Sequence, residues 1–319
     1  MTDELGPICE DAACPLGCVQ DDEAILVGRD RLHDLPGEFR VVRCRRCGLI
    51  RTNPRPTPQS IGAFYPDDYG PYQGTLIAAD RPPRAIVPGW LRPVVRKLLN
   101  QNTHRLPPLP VGSMLEIGCA SGSFMYHMAA EGWKVSGIEF SPSAAEAARA
   151  LGFEVHAGSL ETAPAPRQPH DLVVGWMVLE HLHDPVACLR KLHDWVHPGG
   201  WLAISVPNAG SLEFRLFGKR WYALQVPTHL YHFTPKTLTA LLAKGGWRVE
   251  RVFHQRVLSN LVASVGYCLE DAGFAVIGRW LISLPDRAGR LQYLLFPLAS
   301  VMAALGQTGR MTVWARRES

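Results

Sequence analysis

The sequence predicts an α/β protein: a mainly parallel sheet with helices on both faces, a small cysteine-rich unit in front of it, and a helical insert before its last strand. Three observations predict this. From Ser113 onward short apolar runs alternate with amphipathic stretches, the order that a parallel sheet needs because each crossover must carry a helix. Pro142, Pro185 and Pro235 each follow Ser, Asp or Thr, the pairing of a helix cap with a first-turn proline. Five of the eight cysteines fall within the first 47 residues, too concentrated to be ordinary packing residues.

Taken in order, residues 1–53 form the cysteine-bounded unit and residues 54–110 a linker. The linker opens on Asn53-Pro54-Arg55-Pro56-Thr57-Pro58, whose prolines oppose regular structure. The aromatic run Phe64–Tyr72 follows, open to two readings: a cover over a site, or rings packed on the surface. Trp90–Gln101 is expected to be a helix with a basic face, and Leu106–Pro110 closes the linker. Residues 111–319 form the main domain. Its strands are expected near Met114–Ile117, Lys134–Ile138, Leu172–Trp176, Leu202–Val206, Arg248–Phe253 and Met311–Ala315. Between them lie helices Ser123–Glu131, Pro142–Leu151, Pro185–Val196 and Pro235–Lys244. Residues 255–307 read as two or three apolar helices, suited to capping the sheet, to a dimer face or to contact with a membrane surface.

The most informative segment is Met114-Leu115-Glu116-Ile117-Gly118-Cys119-Ala120-Ser121-Gly122-Ser123, an apolar strand running into a small-residue turn and a helix. Such a turn lets a ligand approach the backbone closely. The Gly-x-x-x-Gly spacing differs from the Gly-x-Gly-x-x-Gly of nicotinamide-binding domains. About twenty residues on, Glu139 ends the next strand, where a carboxylate can accept both ribose hydroxyls of an adenosine. Residues 113–208 resemble the core of class I S-adenosylmethionine (SAM)-dependent methyltransferases, especially the broad group that includes ubiquinone-biosynthesis enzymes.

That resemblance implies a Rossmann-like, seven-stranded sheet and a transferase that moves a methyl group from SAM to a small molecule. Glu116, Gly118, Cys119, Ala120 and Gly122 match the motif that packs against the methionine part of SAM, and Glu139 with Phe140 matches the ribose-binding site. Ser159 stands where the family usually has an acid or amide near the adenine. Trp176 and Met177 lie in Asp171–Pro185, which resembles the fourth motif, and Pro198-Gly199-Gly200 matches the turn before the fifth strand. The implied acceptors span quinones, sugars and other natural products, methylated at O, N or C. In related sugar C-methyltransferases a Glu-His pair occupies the place of Thr228-His229; the threonine argues against sugar C-methylation. His229 and then His181 are the foremost candidates for a general base, with His183, Tyr231 and His232 behind them. The rival function is a noncatalytic scaffold that keeps the fold and uses its cysteine unit for protein contacts.

Cys14-x-x-x-Cys18 and Cys44-x-x-Cys47-Gly48 form two pairs able to close a tetrahedral zinc shell. Four thiolates leave no open position, so the expected zinc is structural. The first pair is irregular, which leaves Cys9 as an alternative ligand for Cys14 or Cys18. The net charge of +4, without a basic tail or stripe, argues against nucleic acid as partner. The first ten residues lack a basic and an apolar signal region, so the cytoplasm is the expected location. The longest apolar stretch, Leu291–Leu305, is shorter than the roughly 20 residues of a transmembrane helix and contains Pro297.

Overall fold

The computed structural model describes residues 8–65, 101–284 and 294–318. Near the amino end lie β1 (Cys9–Glu10), β2 (Asp22–Gly28), β3 (Phe39–Cys44), β4 (Ile50–Thr52) and β5 (Arg55–Pro56). The main domain runs β6 (Ser113–Ile117), α1 (Ser123–Ala130), β7 (Lys134–Glu139), α2 (Pro142–Ala150), β8 (Glu154–Ala157), β9 (His170–Trp176), α3 (Pro185–Asp194) and β10 (Val196–Pro207). Then come α4 (Leu212–Phe217), β11 (Tyr231–His232), α5 (Pro235–Lys244), β12 (Trp247–His254), α6 (Ser259–Asp271), α7 (Ala275–Ile282), α8 (Phe296–Ala304) and β13 (Arg310–Arg317).

Seven strands form the expected sheet in the order β12-β13-β10-β9-β6-β7-β8. The pairs β8-β7, β7-β6, β6-β9 and β9-β10 are parallel, whereas β13 runs antiparallel between β10 and β12. Strand alternation sends side chains to two cores. Leu115, Ile117, Val173, Leu202 and Ile204 pack with Val186, Leu189, Leu238 and Leu241 from α3 and α5. Met114, Leu172, Val174 and Ala203 turn the other way, toward Met128, Trp133 and Trp314. The three Pro-started helices are capped as the sequence implies, by Ser141, Asp184 and Thr234, each accepting a backbone N–H from the first turn.

Four features differ from the sequence expectations. The seventh strand, β8, is only four residues long and half apolar, too short to show a period. Arg55–Pro56 pairs with Cys9–Glu10 despite the prolines; Pro56 needs no N–H on this two-residue ribbon. The Pro185 helix stops at Asp194, and Val196 already pairs with His170, with the register slipping across Pro198-Gly199-Gly200. Finally, the cysteine unit is itself a sheet, ordered β11-β4-β3-β2. Its fourth strand comes from the main domain, through Tyr231 opposite Arg51 and His232 opposite Ile50. The Trp90–Gln101 helix and residues 66–72 of the aromatic run lie outside the described residues, Gln101 excepted. No helix among the described residues is long and apolar enough to cross a membrane.

Candidate active site and metal centre

The sheet's topology fixes where a ligand can lie: at the carboxyl ends of the parallel strands, where β6 and β9 diverge into different loops. A cavity of about 850 Å³ occupies that edge. Its first wall is the turn after β6. Gly118, Ala120 and Gly122 all adopt left-handed backbone (φ 66°, 45° and 82°), and the turn is tied to β7 by Gly118 and Cys119 N–H donating to the Ile138 carbonyl at 2.8 and 3.2 Å. Ala120 alone of the three carries a Cβ in this region, a strained state of the kind held at ligand sites.

Glu139 closes the turn from β7. Its two carboxylate oxygens accept the amides of Ala120 and Ser141, each at 2.8 Å. A carboxylate has about four lone-pair positions, so two remain for the hydroxyls of a ribose. Burial pushes the Glu139 carboxyl up, and the amides of Ser141, Ala120 and Phe140 pull against it. Gly118, Ala120, Glu139, Phe140, Ser159, Trp176 and Met177 line the cavity. Glu116, Cys119 and Gly122 are absent from its lining and stand behind the turn. Glu116 is buried there, its carboxyl held well above the usual range by burial and by the Glu139 charge. Gly122 lets α1 lie against Ala148 and Phe153, which a Cβ would meet at 3.1 and 3.4 Å. The Ser159 hydroxyl is turned to Thr162, while Glu161, unnoticed in the sequence, lines the same end.

The loops after β9 and before β11 meet at the far end. His181 and His229 both line the cavity, with ring centroids 4.7 Å apart. His229 Nδ1 lies 2.9 Å from the Ala223 carbonyl; it must donate there, which leaves Nε2 with the lone pair. His181 Nδ1 lies 2.9 Å from both the Thr228 carbonyl and the Tyr65 hydroxyl. Burial depresses both rings, His181 to about 4, and the neighbouring imidazoles add to the fall at His229. His183 also lines the cavity, whereas Tyr231 and His232, paired into the cysteine-unit sheet, do not. Trp176 lines the cavity, braced edge-on by Phe124 and His104; Trp221 is core, packed on Phe214. Tyr65, Leu32, His33, Tyr222, Gln225, Ser259 and Arg310 are also in the lining. No local pattern marks these residues, because long-range packing brings them together.

Beneath the histidines, Glu180 is fully buried, and neither carboxylate oxygen has a hydrogen-bond partner among the described residues. Burial pushes it up to about 8. A carboxyl raised above its unfolded value stabilises the fold at low pH, and that contribution is lost as pH rises from about 4.5 through about 8. The depressed His181 and His232, at about 4 and about 3, act in the opposite sense: their contribution is lost as pH falls below about 6.5. Urea unfolding should therefore give Glu180→Gln a smaller stability loss than wild type between pH 5.5 and 8.5, by on the order of 3 kcal/mol. Parallel curves for the two proteins would contradict this.

The cysteine unit presents a second centre. The sulfurs of Cys14, Cys18, Cys44 and Cys47 all lie within 4.8 Å of one another, with Cys14 and Cys47 at 3.6 Å. Four thiolates bonded to one zinc at about 2.3 Å stand about 3.8 Å apart, so the set fits a tetrahedral ion. Knuckle turns hold both pairs: Gly17 N–H donates to the Cys14 carbonyl and Gly48 N–H to that of Cys44, each at 2.8 Å. Gly17 and Gly48 have φ near 80°. Cys9 sits exposed in β1, outside the cluster; the irregular first pair needs no substitute, because Gly17 makes its longer turn. Glu180, His181 and His229 also bring ligand-type atoms within 4.8 Å of one another.

A seven-stranded sheet with a left-handed glycine turn, a carboxylate on the next strand and a cavity beside them has the architecture of the class I SAM-dependent methyltransferases. Residues 92–252, half of the chain, match the family model described as a methyltransferase domain, and the chain belongs to that family. Among curated relatives, a ubiquinone biosynthesis O-methyltransferase of Nitrosospira multiformis is 29% identical over 173 residues, 47% of this chain and 72% of that protein. One of Bordetella avium is 31% identical over 148 residues, 42% and 61% of the two chains. A malonyl-[acyl-carrier protein] O-methyltransferase of Serratia marcescens is 28% identical over 152 residues, 47% and 58%. The chain thus spans less than two thirds of the latter two. A SAM-dependent methyltransferase structure from Mesorhizobium loti is similar with a TM-score of 0.45 and 19% identity, covering 71% of this chain and 97% of that one.

Proposed function

We propose that the chain transfers the methyl group of SAM to an oxygen of a small-molecule acceptor by in-line displacement. The observation that carries the reading is the continuity of one cavity from the Gly118 turn and Glu139 to His181 and His229. That continuity supports a nucleoside end and a proton-accepting end within one enclosure. The sulfonium of SAM supplies an electrophilic methyl, so the chain's work is alignment and exclusion of water. Gly118, Ala120 and Glu139 hold the nucleoside and amino-acid parts, Phe140 and Ser159 flank the adenine, and Trp176 with Met177 forms the floor.

His229 Nε2 is the proton acceptor, with His181 beside it. Rings held this far below their ordinary range are neutral at pH 7 but weak as bases. That weakness suits a late proton transfer: an oxygen that has just gained a methyl carries an acidic proton that even a weak imidazole accepts. The names of the relatives, all O-methyltransferases, favour oxygen over nitrogen or carbon. Cys14, Cys18, Cys44 and Cys47 hold one structural zinc that stiffens the loops beside this end.

Calorimetric titration with SAM tests the reading. Wild type should bind in the micromolar range, and Glu139→Ala should weaken binding by about 1–3 kcal/mol through the lost ribose contacts. Folded wild type that gives no heat with SAM would refute it and leave the scaffold function in its place.

A further inference from the structure

The loop between β2 and β3 turns its side chains to different neighbours. Asp30 is buried, and its carboxylate accepts the backbone N–H groups of Leu32 and His33 at 2.9 and 3.1 Å. This local turn, of the kind aspartate favours, presents Leu32 and His33 to the cavity that His181 and His229 also line. Leu32 lines the cavity while still 37% exposed, which puts it at the mouth. From Asp34 to Glu38 the loop is exposed except for half-buried Leu35. Its tether to the main domain is Arg31, whose Nη1 and Nη2 donate to Asp271 Oδ2 and Oδ1, at the end of α6, at 3.1 and 2.5 Å. The guanidinium lies 4.6 Å from the Tyr267 ring centre, and the Tyr267 hydroxyl donates to the Arg31 carbonyl at 3.3 Å.

Asp271 holds a second lining segment. Arg220 Nε donates to its Oδ2 at 2.5 Å. Two residues further on, Tyr222 lines the cavity, stacked on Tyr267 with ring centres 5.9 Å apart. One carboxylate thus ties the cysteine unit's loop and the main-domain loop before β11 to the last turn of α6. A negative charge at the carboxyl end of a helix opposes the helix dipole, so the two arginines, not the helix, account for an aspartate here. Lone ion pairs at a surface contribute little, but a two-pronged Arg–carboxylate pair within a network of charges is the exception. The hydrogen bonds from Arg31 hold Asp271 down to about 2 against the pull of burial, so the network is charged throughout the neutral range.

We infer that the Asp30–His33 turn is the movable wall through which the methyl acceptor reaches His181 and His229, with the Arg31–Asp271–Arg220 network as its catch. The inference rests on the methyltransferase reading. It gives α6, the first helix of the insert, a task at the site: it fastens the mouth. Leu32 limits the width of what enters, while Arg31 and Asp271 are positioning residues that touch no reactant.

The test uses the full chain saturated with S-adenosylhomocysteine and takes two readings by mass spectrometry. One is hydrogen exchange over residues 29–35. The other is modification of His229 by diethyl pyrocarbonate, relative to His127, which is exposed on α1. Asp271→Asn keeps the shape of the side chain and removes its charge. It should speed exchange over this loop by about tenfold or more and His229 modification by about fivefold or more. Added salt should speed both in wild type and neither in Asp271→Asn. Exchanging the charges, with Arg31→Asp and Asp271→Arg together, should return both readings toward wild type. Leu32→Trp, which leaves the network intact, should slow His229 modification instead. S-adenosylhomocysteine affinity should be unchanged in every variant, as the control for folding. The inference is overturned if exchange rises without faster modification of His229, if Asp271→Asn changes neither reading, if the exchanged charges restore nothing, or if Leu32→Trp leaves His229 as reactive as before. Failure of wild type to bind S-adenosylhomocysteine overturns the methyltransferase reading instead, and the exchange readings then still decide whether the catch exists.

Discussion

Gly118→Arg should abolish SAM binding, a loss of at least about 100-fold, or about 2.7 kcal/mol, in a chain that still folds. Two independent costs act at this position. The backbone has φ of 66°, a region where a side chain costs roughly 1–2 kcal/mol. A Cβ there would also stand 2.5 Å from Val178 Cγ2, so the turn after β6 must move away from the loop after β9. Both segments line the cavity, and the arginine would fill the space between them. The milder Gly118→Ala separates the two costs. Combined with Val178→Ala it should recover part of the lost affinity, since the clash is relieved and the backbone strain is not. Calorimetry on the three variants, with thermal melts for folding, reads the result; a double variant no better than Gly118→Ala would place the whole effect in the backbone.

If Cys14, Cys18, Cys44 and Cys47 hold zinc as proposed, its removal should have the second largest effect. Chelation, or Cys44→Ser, should lower the melting temperature by about 10 °C or more and methyl transfer by about 100-fold, while SAM affinity changes by less than about tenfold. The asymmetry follows from position. Cys44 is fully buried and shares a core with Val226, Leu230 and Phe233. Thr52, which ends β4, donates its hydroxyl to the His229 carbonyl at 2.8 Å and stands outside the cavity lining. Metal content, melting curves and hydrogen exchange over 225–233 should change together, and Cys9→Ser should change none of them. An unaltered melting curve after complete metal removal would show that the four thiols need no ion.

The main sheet was legible because its signals are local. Leu172–Trp176 and Leu202–Val206 are apolar runs of strand length, and Ser141, Asp184 and Thr234 announce their helices chemically. The cavity wall formed by Gly118 and Glu139 was legible for the same reason: both sit at fixed offsets from two strands. The far end of the cavity was only partly so. His181 and His229 were marked by their place after the fourth strand and before the Pro235 helix, but Arg310 reads as an ordinary charge at the start of a strand, and Leu32, Tyr222 and Ser259 carry no mark at all. Their roles arise from tertiary placement. Glu116 shows the converse, a motif residue that sits behind the turn because the motif records packing as well as contact.

The pairing of β4 with β11 has a consequence for how the chain comes into being. Thr52 waits for partners about 180 residues later, at His229 and Leu230. During synthesis the amino-terminal strands emerge first, yet their sheet lacks its fourth member until most of the main domain has been made. For that interval β4 is an open edge able to recruit a foreign strand, and closing so long a loop is slow. The four thiolates, all emerged by residue 47, could take up the proposed zinc early and hold the unfinished sheet in shape. Zinc would then serve the nascent chain before it serves the finished protein.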